Sequence, residues 1–363
     1  MKRILVIAVA LLAIAGTSSL AGGVIYDLGA GAAPTGVTTS GSAVAFDLGG
    51  ANIWYKSTGA STNIGANYTT AGVAYTTYNA PSGKYVVGGN SGGNAYRWDS
   101  DTGVWTKLPL VGGNTAWTAQ ATAAEATNVY IAGGHSTAAC RYKESSNSST
   151  ALQYPSDANP TNYGWLYASS DNGHFAGKYK VGGGAKKADA TPYSGGNLMG
   201  LNYLAGGSGS GTAFAISRDG RVAGGYSGTL PAIWDLSLAN GGSGTQIPWL
   251  GAEYNYGEVH ALNQDGSMAY GYQKTTAGVY AAFVWDAVNG TRELGAYLAA
   301  KGVDVTGWTF TDVKGVSGDD KVITGVGSLG GSSHGFIIAI PEPSSLCVLA
   351  LGLVGLLRFR RRA

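Results

Sequence analysis

Residues 213–235 read AFAISRDGRVAGGYSGTLPAIWD, and residues 260–286 read HALNQDGSMAYGYQKTTAGVYAAFVWD. Each stretch begins with an apolar run, passes through Asp-Gly, continues with a second run that contains glycine, and ends on a third run that closes with Trp-Asp. Asp-Gly between two apolar runs is a strong signal for a β-hairpin, because glycine accepts the positive φ that a tight turn needs. The two stretches therefore predict a repeated unit of at least three short strands.

Weaker copies of this unit occur on both sides of the two clear ones. The turn positions fall at residues 83, 128, 173, 220, 266 and 320, and a degenerate first copy contains Ser40-Gly41 and Trp54. A period of about 40–50 residues with three or four strands per unit is typical of a β-propeller. We predict an all-β, propeller-like repeat domain of about seven blades over residues 22–340. A β-solenoid or irregular sandwich, or two unrelated β-domains, are the alternatives, and the Ser/Gly/Asn-rich stretches 145–160 and 182–212 are predicted to be long loops.

Composition agrees with a folded all-β chain. The sequence contains 60 glycines, 9 tryptophans and 22 tyrosines, and only 12% of its residues are charged, whereas a disordered chain is charged and poor in aromatic residues. Six of the 23 basic residues and one of the 21 acidic residues lie in the two terminal segments, which leaves a body with 17 basic and 20 acidic residues and a net charge of −3. We therefore predict no nucleic-acid partner, because there is no basic field to hold one.

The N-terminal segment has the three parts of a signal peptide. Lys2 and Arg3 precede an apolar run over residues 4–15, and small residues follow up to Ala21. We predict a signal peptide over residues 1–21, with cleavage between Ala21 and Gly22. The alternative is a membrane anchor, but the run is short of the roughly 20 apolar residues that a transmembrane helix needs.

The C-terminal segment, residues 341–363, combines a rigid start, an apolar run and a cationic end. Pro341-Glu342-Pro343 comes first, residues 346–357 are predicted to form a hydrophobic helix, and the chain then carries the cluster 358–362, in which the cations are Arg358, Arg360, Arg361 and Arg362. Arginines resist translocation and should stay on the cytoplasmic side as a membrane stop. A helix of twelve residues is about 18 Å long against a hydrocarbon core of about 30 Å, so insertion is either transient or a thin permanent anchor.

The order Pro-Glu-Pro, short apolar helix and arginine cluster resembles the PEP-CTERM sorting signal. The resemblance implies a Gram-negative bacterium, often one that makes exopolysaccharide, and an exosortase-type enzyme that processes the tail. It also implies export through the inner membrane, a membrane-anchored form before processing, and a cell-surface or extracellular form after it. On this resemblance Glu342 is part of a recognition site and has no catalytic role.

The repeated unit resembles the HAF-type extracellular repeat. Asp27-Leu28-Gly29 fits the first element of that pattern, His260-Ala261-Leu262-Asn263 fits the turn, and residues 281–285 fit the Ala-Phe-x-Trp strand. The resemblance implies an architecture rather than a biochemical activity.

Residue spacing predicts no catalytic, cofactor or metal site. The four histidines, His135, His174, His260 and His334, do not have metal-ligand spacing, and Asn263-x-Asp265-Gly266 lacks the further acids of a calcium loop. The sequence contains no phosphate loop and no serine nucleophile elbow, and Cys140 is interpreted as a small buried apolar residue. Paired carboxylates for glycoside cleavage stay open, because that geometry forms across blades; the candidates are Asp99, Asp235, Asp286, Glu253 and Glu258.

Aromatic residues are the best functional clue. Tyrosine offers a flat face for sugar rings and a polar tip for their hydroxyls, and one unit is rich in it, with Tyr254, Tyr256, Tyr270, Tyr272 and Tyr280. The alternative is that these rings pack between blades. We predict a non-catalytic envelope or matrix protein that contacts exopolysaccharide, as in a biofilm, or envelope proteins; the alternative is a propeller-type polysaccharide hydrolase or lyase. Unique acids or histidines at the axial mouth would favour the enzyme, and recurrent residues with an aromatic outer face would favour the binder.

Overall fold

The computed structural model describes residues 23–340 apart from 77–82, 112–115, 126–127, 136–137, 156–157, 159–163, 182–184, 192–196 and 208. Within these residues the chain forms 28 strands and one α-helix. The strands build seven antiparallel blades of four strands each, arranged as a β-propeller, which confirms the predicted all-β fold. The third and fourth blades are hydrogen-bonded to each other and together form one eight-stranded sheet. The predicted signal peptide and sorting segment lie outside the described residues.

The first strand of the chain, β1 (Val24–Ala30), belongs to the last blade. Blade 1 contains β2 (Ala33–Val37), β3 (Ala43–Asp47), β4 (Ala51–Tyr55) and β5 (Ala60–Gly65). Blade 2 contains β6 (Thr69–Thr76), β7 (Lys84–Ser91), β8 (Asn94–Asp99) and β9 (Val104–Lys107). Blade 3 contains β10 (Thr118–Glu125), β11 (Asn128–His135), β12 (Ala138–Lys143) and β13 (Ser148–Ala151).

Blade 4 contains β14 (Gly164–Ser169), β15 (Phe175–Lys180), β16 (Lys186–Ala190) and β17 (Met199–Gly200). Blade 5 contains β18 (Gly211–Ile216), β19 (Val222–Ser227), β20 (Leu230–Asp235) and β21 (Thr245–Gln246). Blade 6 contains β22 (Tyr254–Leu262), β23 (Met268–Thr275), β24 (Tyr280–Asp286) and β25 (Gly290–Glu293). Blade 7 contains β26 (Trp308–Val316), β27 (Val322–Leu329), β28 (Ser332–Ala339) and β1.

The helix α1 (Leu294–Ala300) follows the last strand of blade 6. Its buried residues Leu294, Tyr297 and Leu298 pack in the same apolar cluster as Phe310 and Phe336 of blade 7, so the helix seals the junction of these two blades. None of the helices formed by the described residues has the length and hydrophobicity to cross a membrane.

The two stretches predicted as long loops carry strands, so that prediction is wrong in part. Residues 145–160 include β13, and residues 182–212 include β16 and β17 and the beginning of β18. Strands β13, β16 and β17 lie in the outer parts of blades 3 and 4, and β13 and β17 are edge strands with a partner on one side only. An outer strand packs little of its surface against neighbouring blades and therefore needs no strong apolar alternation, which is the signal that the prediction relied on.

Among the turns whose residues the structure describes in full, a polar residue closes the turn between the first two strands in five blades. The five are Thr38, Ser170, Ser217, Asn263 and Ser317. In each blade its side-chain oxygen accepts a hydrogen bond from the backbone N–H four or five residues further on, for example 2.9 Å from Val222 N to Ser217 Oγ. A buried backbone donor is costly when unpaired, so these side chains stabilise the turns.

The same turns are joined to one another by backbone hydrogen bonds, which places them at one end of the propeller. The bonds run from Asp171 N to Arg218 O, Asp219 N to Gln264 O, Gln264 N to Gly318 O, and Gly318 N to Thr39 O, at 2.7–3.1 Å. They link blades 4, 5, 6, 7 and 1 in order. We call this end the turn face and the opposite end, where the first strands begin, the mouth.

The ring of blades is closed by pairing the two ends of the chain. β1 lies antiparallel to β28, with Val24 opposite Ala339 and Ala30 opposite His334. His334 Nδ1 lies 2.8 Å from Asp27 Oδ1 across this seam. The sequence suggested that Asp27-Leu28-Gly29 opens the first unit, but it forms the outermost strand of the last blade instead.

Truncating Phe336 tests this closure. Phe336 is fully buried in β28, and its ring centroid lies 5.0 Å from that of Phe310, which is on β26 of the same blade. We expect Phe336→Ala to lower the free energy of unfolding by about 3–5 kcal/mol, because it leaves a cavity in the closing blade. Urea unfolding measures this loss. Val288→Ala, at a side chain that is 92% exposed, is the matched control and should change stability by less than about 0.5 kcal/mol.

Candidate functional site

A cavity on the propeller axis is lined by residues from the first strand of all seven blades. Each of these inner strands has a register shift at the level of the cavity. The residues at the shifts that line the cavity are Thr35, Gly72, Gln120, Tyr167, Phe214, His260 and Lys314, and we call them the bulge ring. A β-bulge adds one residue to a strand and redirects its side chain, and bulges are frequent beside functional sites.

The bulge ring differs in chemistry from one side of the channel to the other. Blades 1–3 contribute a threonine, a glycine and a glutamine, while blades 4–7 contribute Tyr167, Phe214, His260 and Lys314. Aromatic and charged groups therefore occupy one continuous side of the channel. A ligand that enters from the mouth would meet its specific contacts on that side.

Residues of the bulge ring lie at a fixed distance from the turn-closing residue of their blade, and the two positions differ in how much their residue type varies. In five blades the ring residue comes three positions before the polar residue that closes the turn, as Phe214 precedes Ser217 and His260 precedes Asn263. The turn-closing residue keeps its chemistry from blade to blade, because every turn needs the same hydrogen bond. The ring residue changes in every blade, so it is free of that structural requirement.

Four charged side chains meet at the ring between blades 6 and 7. His260 Nε2 lies 2.7 Å from Glu258 Oε2, and His260 Nδ1 lies 3.0 Å from Asp312 Oδ1. Lys314 Nζ lies 2.6 Å from Asp312 Oδ2, and the Tyr256 hydroxyl donates to Glu258 Oε1 at 2.6 Å. The side chains of Glu258, His260 and Asp312 are only 10–12% exposed, so their interactions are weakly screened.

The pKa values of this cluster are set by its geometry. Burial alone would lower the pKa of His260, but Asp312 and Glu258 outweigh burial and raise it above the ordinary value of 6.5. Burial alone would raise the pKa of Asp312 and of Glu258, but the charge and hydrogen bonds of His260 lower both. All three shifts favour an imidazolium held between two carboxylates.

An unbroken row of aromatic rings leads from the channel outward over blades 4, 5 and 6. Neighbouring ring centroids are 5.2–6.2 Å apart, and the rings in order are Tyr167, Phe214, Tyr226, Tyr256, Tyr272 and Tyr280. We call this the aromatic row. It begins at the bulge ring and ends at Tyr280, which is 44% exposed beside the mouth. Lys178 Nζ and Lys274 Nζ each lie 5.0 Å from a ring of the row, Tyr167 and Tyr256 respectively.

The tyrosine cluster singled out from the sequence divides in the structure. Tyr256, Tyr272 and Tyr280 belong to the aromatic row, whereas Tyr270 is fully buried and donates its hydroxyl to Asp320 at 2.9 Å. Tyr254 is half-buried near the start of β22. Tyr270 and Tyr272 lie two positions apart on β23 and therefore share a face of the sheet. They differ in their position along the strand: Tyr270 packs in the apolar cluster near the turn face, whereas Tyr272 lies nearer the mouth among the other rings of the row.

The channel is crossed near the turn face by Arg218. Its Nη2 donates to the carbonyl oxygens of Val37 at 2.7 Å and Val316 at 3.3 Å, and its Nη1 lies 4.0 Å from Asp171 Oδ1. Burial lowers the pKa of Arg218, which Asp171 partly offsets. The guanidinium thus ties blades 1, 4 and 7 to blade 5 and separates the cavity from the turn face.

The aspartates that end the third strands are engaged in turns. Asp99, Asp235 and Asp286 each accept a hydrogen bond at 2.9 Å from the backbone N–H two residues further on. Glu253 is exposed outside the bulge ring, while Glu258 is part of the charged cluster. Of the five acids considered from the sequence, only Glu258 therefore contacts a residue of the bulge ring, His260.

The other residues considered from the sequence lie apart from the ring. His135, His174 and His334 do not line the axial cavity, and Cys140 is buried, which raises the pKa of its thiol to about 12. Among the described residues there is no group of three or more His, Cys, Asp or Glu side chains placed to hold a metal ion. The cleavage residues Ala21 and Gly22 lie outside the described residues, and so do the sorting residues and the terminal arginines.

Sequence reasoning missed the channel position of His260 and did not single out Phe214, Asp312 or Lys314. One signal in the sequence could have found them: they, or the residues beside them, lie at the position three residues before the turn-closing residue, and the residue type at that position changes from unit to unit. A β-bulge leaves no residue pattern of its own, so the direction of these side chains could not be predicted.

The described body ends at Ile340, next to the segment that comparison with protein families identifies. Residues 339–362 match the model of the PEP-CTERM protein-sorting motif. This motif is the signal for exosortase processing and indicates an exported protein of a Gram-negative bacterium that is membrane-anchored before processing. Among curated proteins, no sequence match to this chain was found.

Solved structures with a similar fold include two of oligogalacturonate lyase. The enzyme from Vibrio parahaemolyticus is 11% identical, with a TM-score of 0.53 over 88% of this chain and 98% of that one. An oligogalacturonate lyase in complex with manganese is 15% identical, with a TM-score of 0.51 over 88% and 96%. The extracellular domain of a one-component system from B. thetaiotaomicron is 10% identical, with a TM-score of 0.52 over 88% of this chain and 40% of that one. At these identities the likeness concerns the fold alone.

The paired state of His260 gives a pH-dependent prediction. Folding raises the pKa of His260, so the protonated imidazole stabilises the folded state. This contribution to the free energy of unfolding is fully present below pH 6.5 and is lost as the pH rises through the pKa of His260 in the folded protein. We expect Asp312→Asn to lower the pKa of His260, as measured by NMR titration of the imidazole. The control is His135, whose pKa is lowered by burial and should not respond. A His260 pKa below 6.5 in the unmodified protein would contradict the paired arrangement.

Proposed function

We propose that this protein is a non-catalytic component of the cell surface or extracellular matrix that binds extracellular polysaccharide at the mouth of its propeller. The observation that carries the proposal is the aromatic row. Six rings run without a gap from the bulge ring to the exposed Tyr280. Tyrosine combines a flat apolar face with a polar tip, which suits a chain of sugar rings that carry hydroxyls.

The charged cluster supports binding rather than chemistry. Both ring nitrogens of His260 contact carboxylates, so neither nitrogen is available to exchange a proton with a substrate. Lys314 contacts Asp312, and Glu258 accepts from the Tyr256 hydroxyl. A cluster whose members satisfy one another presents a rigid polar wall to a ligand.

One observation favours a second candidate, a polysaccharide hydrolase or lyase. Glu258, His260, Asp312 and Lys314 do not recur in blades 1–5, and they converge at the bulge ring in the axial channel, where a propeller enzyme could place unique groups. A pair of carboxylates is the group that glycoside cleavage uses.

Two further predictions from the sequence are not tested by the structure. They are the resemblance of the repeated unit to the HAF-type extracellular repeat and an envelope protein as a binding partner.

Mixing the mature protein with the exopolysaccharide of its own host tests both candidates. We expect the intact polymer and the protein to elute together in size-exclusion chromatography. Polymer that elutes later, as shorter chains, would establish the enzyme instead. Independent elution of unchanged polymer and protein would overturn both and direct the search to an envelope protein.

Removing the outermost ring of the row gives the matching mutational test. We expect Tyr280→Ala to weaken binding of the polymer about two- to tenfold, because one exposed aromatic contact is lost. Affinity electrophoresis in gels that contain the polymer measures the change. Val279→Ala, at the adjacent and 60% exposed side chain, is the control and should bind like the unmodified protein. Equal effects of both substitutions would argue against the row.

Processing of the tail gives a separate test. Replacing Pro341-Glu342-Pro343 with alanines should leave the full-length protein in the inner membrane, because the enzyme loses its recognition segment. Immunoblots of membrane and medium fractions report the result, with Ser344→Ala and Ser345→Ala together as the control. Normal maturation of the alanine variant would show that the tripeptide has no part in sorting.

A further inference from the structure

The two ends of the propeller body leave the fold at the same place. Val24, the first residue of β1, lies opposite Ala339, the last residue of β28. The next residue, Ile340, donates its backbone N–H to Lys321 O at 2.8 Å, and Lys321 immediately follows the Asp319-Asp320 turn. Both ends of the chain therefore leave blade 7 at the turn face.

The turn face and the mouth are opposite ends of the molecule. Backbone hydrogen bonds link the turns of five blades at one end, and Arg218 crosses the channel there. The bulge ring and the exposed end of the aromatic row lie on the other side of Arg218. The eight residues of β23 connect the turn at Ser267 to the hairpin at Ala277 and span about 26 Å at the usual rise of a strand.

The distance from the body to the membrane is limited by a short segment. Residues 341–345 separate Ile340 from the apolar run that begins at Leu346. Five residues span at most about 17 Å even when fully extended. The body of the unprocessed protein is thus tethered near the bilayer at one rim of its turn face.

We propose that the unprocessed protein stands with its turn face toward the outer surface of the inner membrane and its mouth pointing away. The partner surface is the bilayer itself. The inference rests on the sorting segment and the position of Ile340, and it does not depend on what the mouth binds.

Charge on the turn face does not decide the orientation. Asp265 and Asp319 are exposed there, and Asp319 Oδ2 lies 3.6 Å from Lys321 Nζ. Acidic and basic groups therefore lie side by side on this face. The orientation therefore depends on the position at which the chain exits the fold. In this orientation the mouth stays accessible while the protein is still anchored.

The arrangement also allows the ring of blades to close while the tail is in the membrane. β1 must pair with β28, which is the last strand to be exported. Because both ends emerge side by side, neither has to pass over or through the propeller to make this pairing.

Fluorescence quenching by lipids can measure the orientation. The full-length chain, with Cys347→Ser, is reconstituted in vesicles of phosphatidylethanolamine and phosphatidylglycerol that contain headgroup spin-labelled lipid. One fluorophore is attached at Ser267→Cys on the turn face or at Ala277→Cys at the mouth, both in blade 6. The native Cys140 is buried, and its thiol pKa is raised to about 12, so it should not react.

We expect the label at residue 267 to lose fluorescence in these vesicles and the label at residue 277 to keep it. Vesicles without spin label give the reference for each site. Equal quenching at both sites would mean that the protein lies on its edge, and stronger quenching at residue 277 would mean that the mouth faces the membrane. Either result overturns the proposal without affecting polymer binding by the mature protein.

Discussion

The antiparallel pairing of β1 with β28 is the constraint on which the rest of the structure depends. Without β1, blade 7 would be a three-stranded sheet, and the N-terminal end of the propeller body would no longer be held to its C-terminal end. The axial cavity exists only in the closed ring, because its lining comes from all seven inner strands. Arg218 depends on closure in the same way, since it donates to Val37 in the first blade and Val316 in the last.

The repeat divides its residues between structure and function over a distance of three positions. Ser217, Asn263 and Ser317 satisfy the backbone of their turns and keep similar chemistry because the need is the same in each blade. Three positions earlier, a bulge releases Phe214, His260 and Lys314 from the pleat and turns them into the channel. One backbone irregularity, used in every blade, thus allows a repetitive fold to build a site without symmetry.

The charged cluster and the point at which the chain leaves the fold lie in different parts of the propeller. At the bulge ring, the carboxylates of Glu258 and Asp312 are neutralised by His260 and Lys314, so that side of the channel is polar without a large net charge. At the turn face, aspartates shape the turns, and the chain leaves the fold after Ile340. In the arrangement that we propose, the end that is anchored is therefore not the end that meets the polymer.

The sequence by itself determined the repeat, its hairpin turns, the all-β class and the sorting segment, because each of these is encoded in residues close together in the chain. The Asp-Gly turns and the Pro-Glu-Pro tail are local patterns, and local patterns are readable without a structure. Only the tertiary structure decided that residues 27–29 belong to the last blade and that His260 meets Asp312, 52 positions away. It also decided that rings from three blades form one row. Such contacts depend on closure of the ring and on bulges, neither of which leaves a pattern in neighbouring residues.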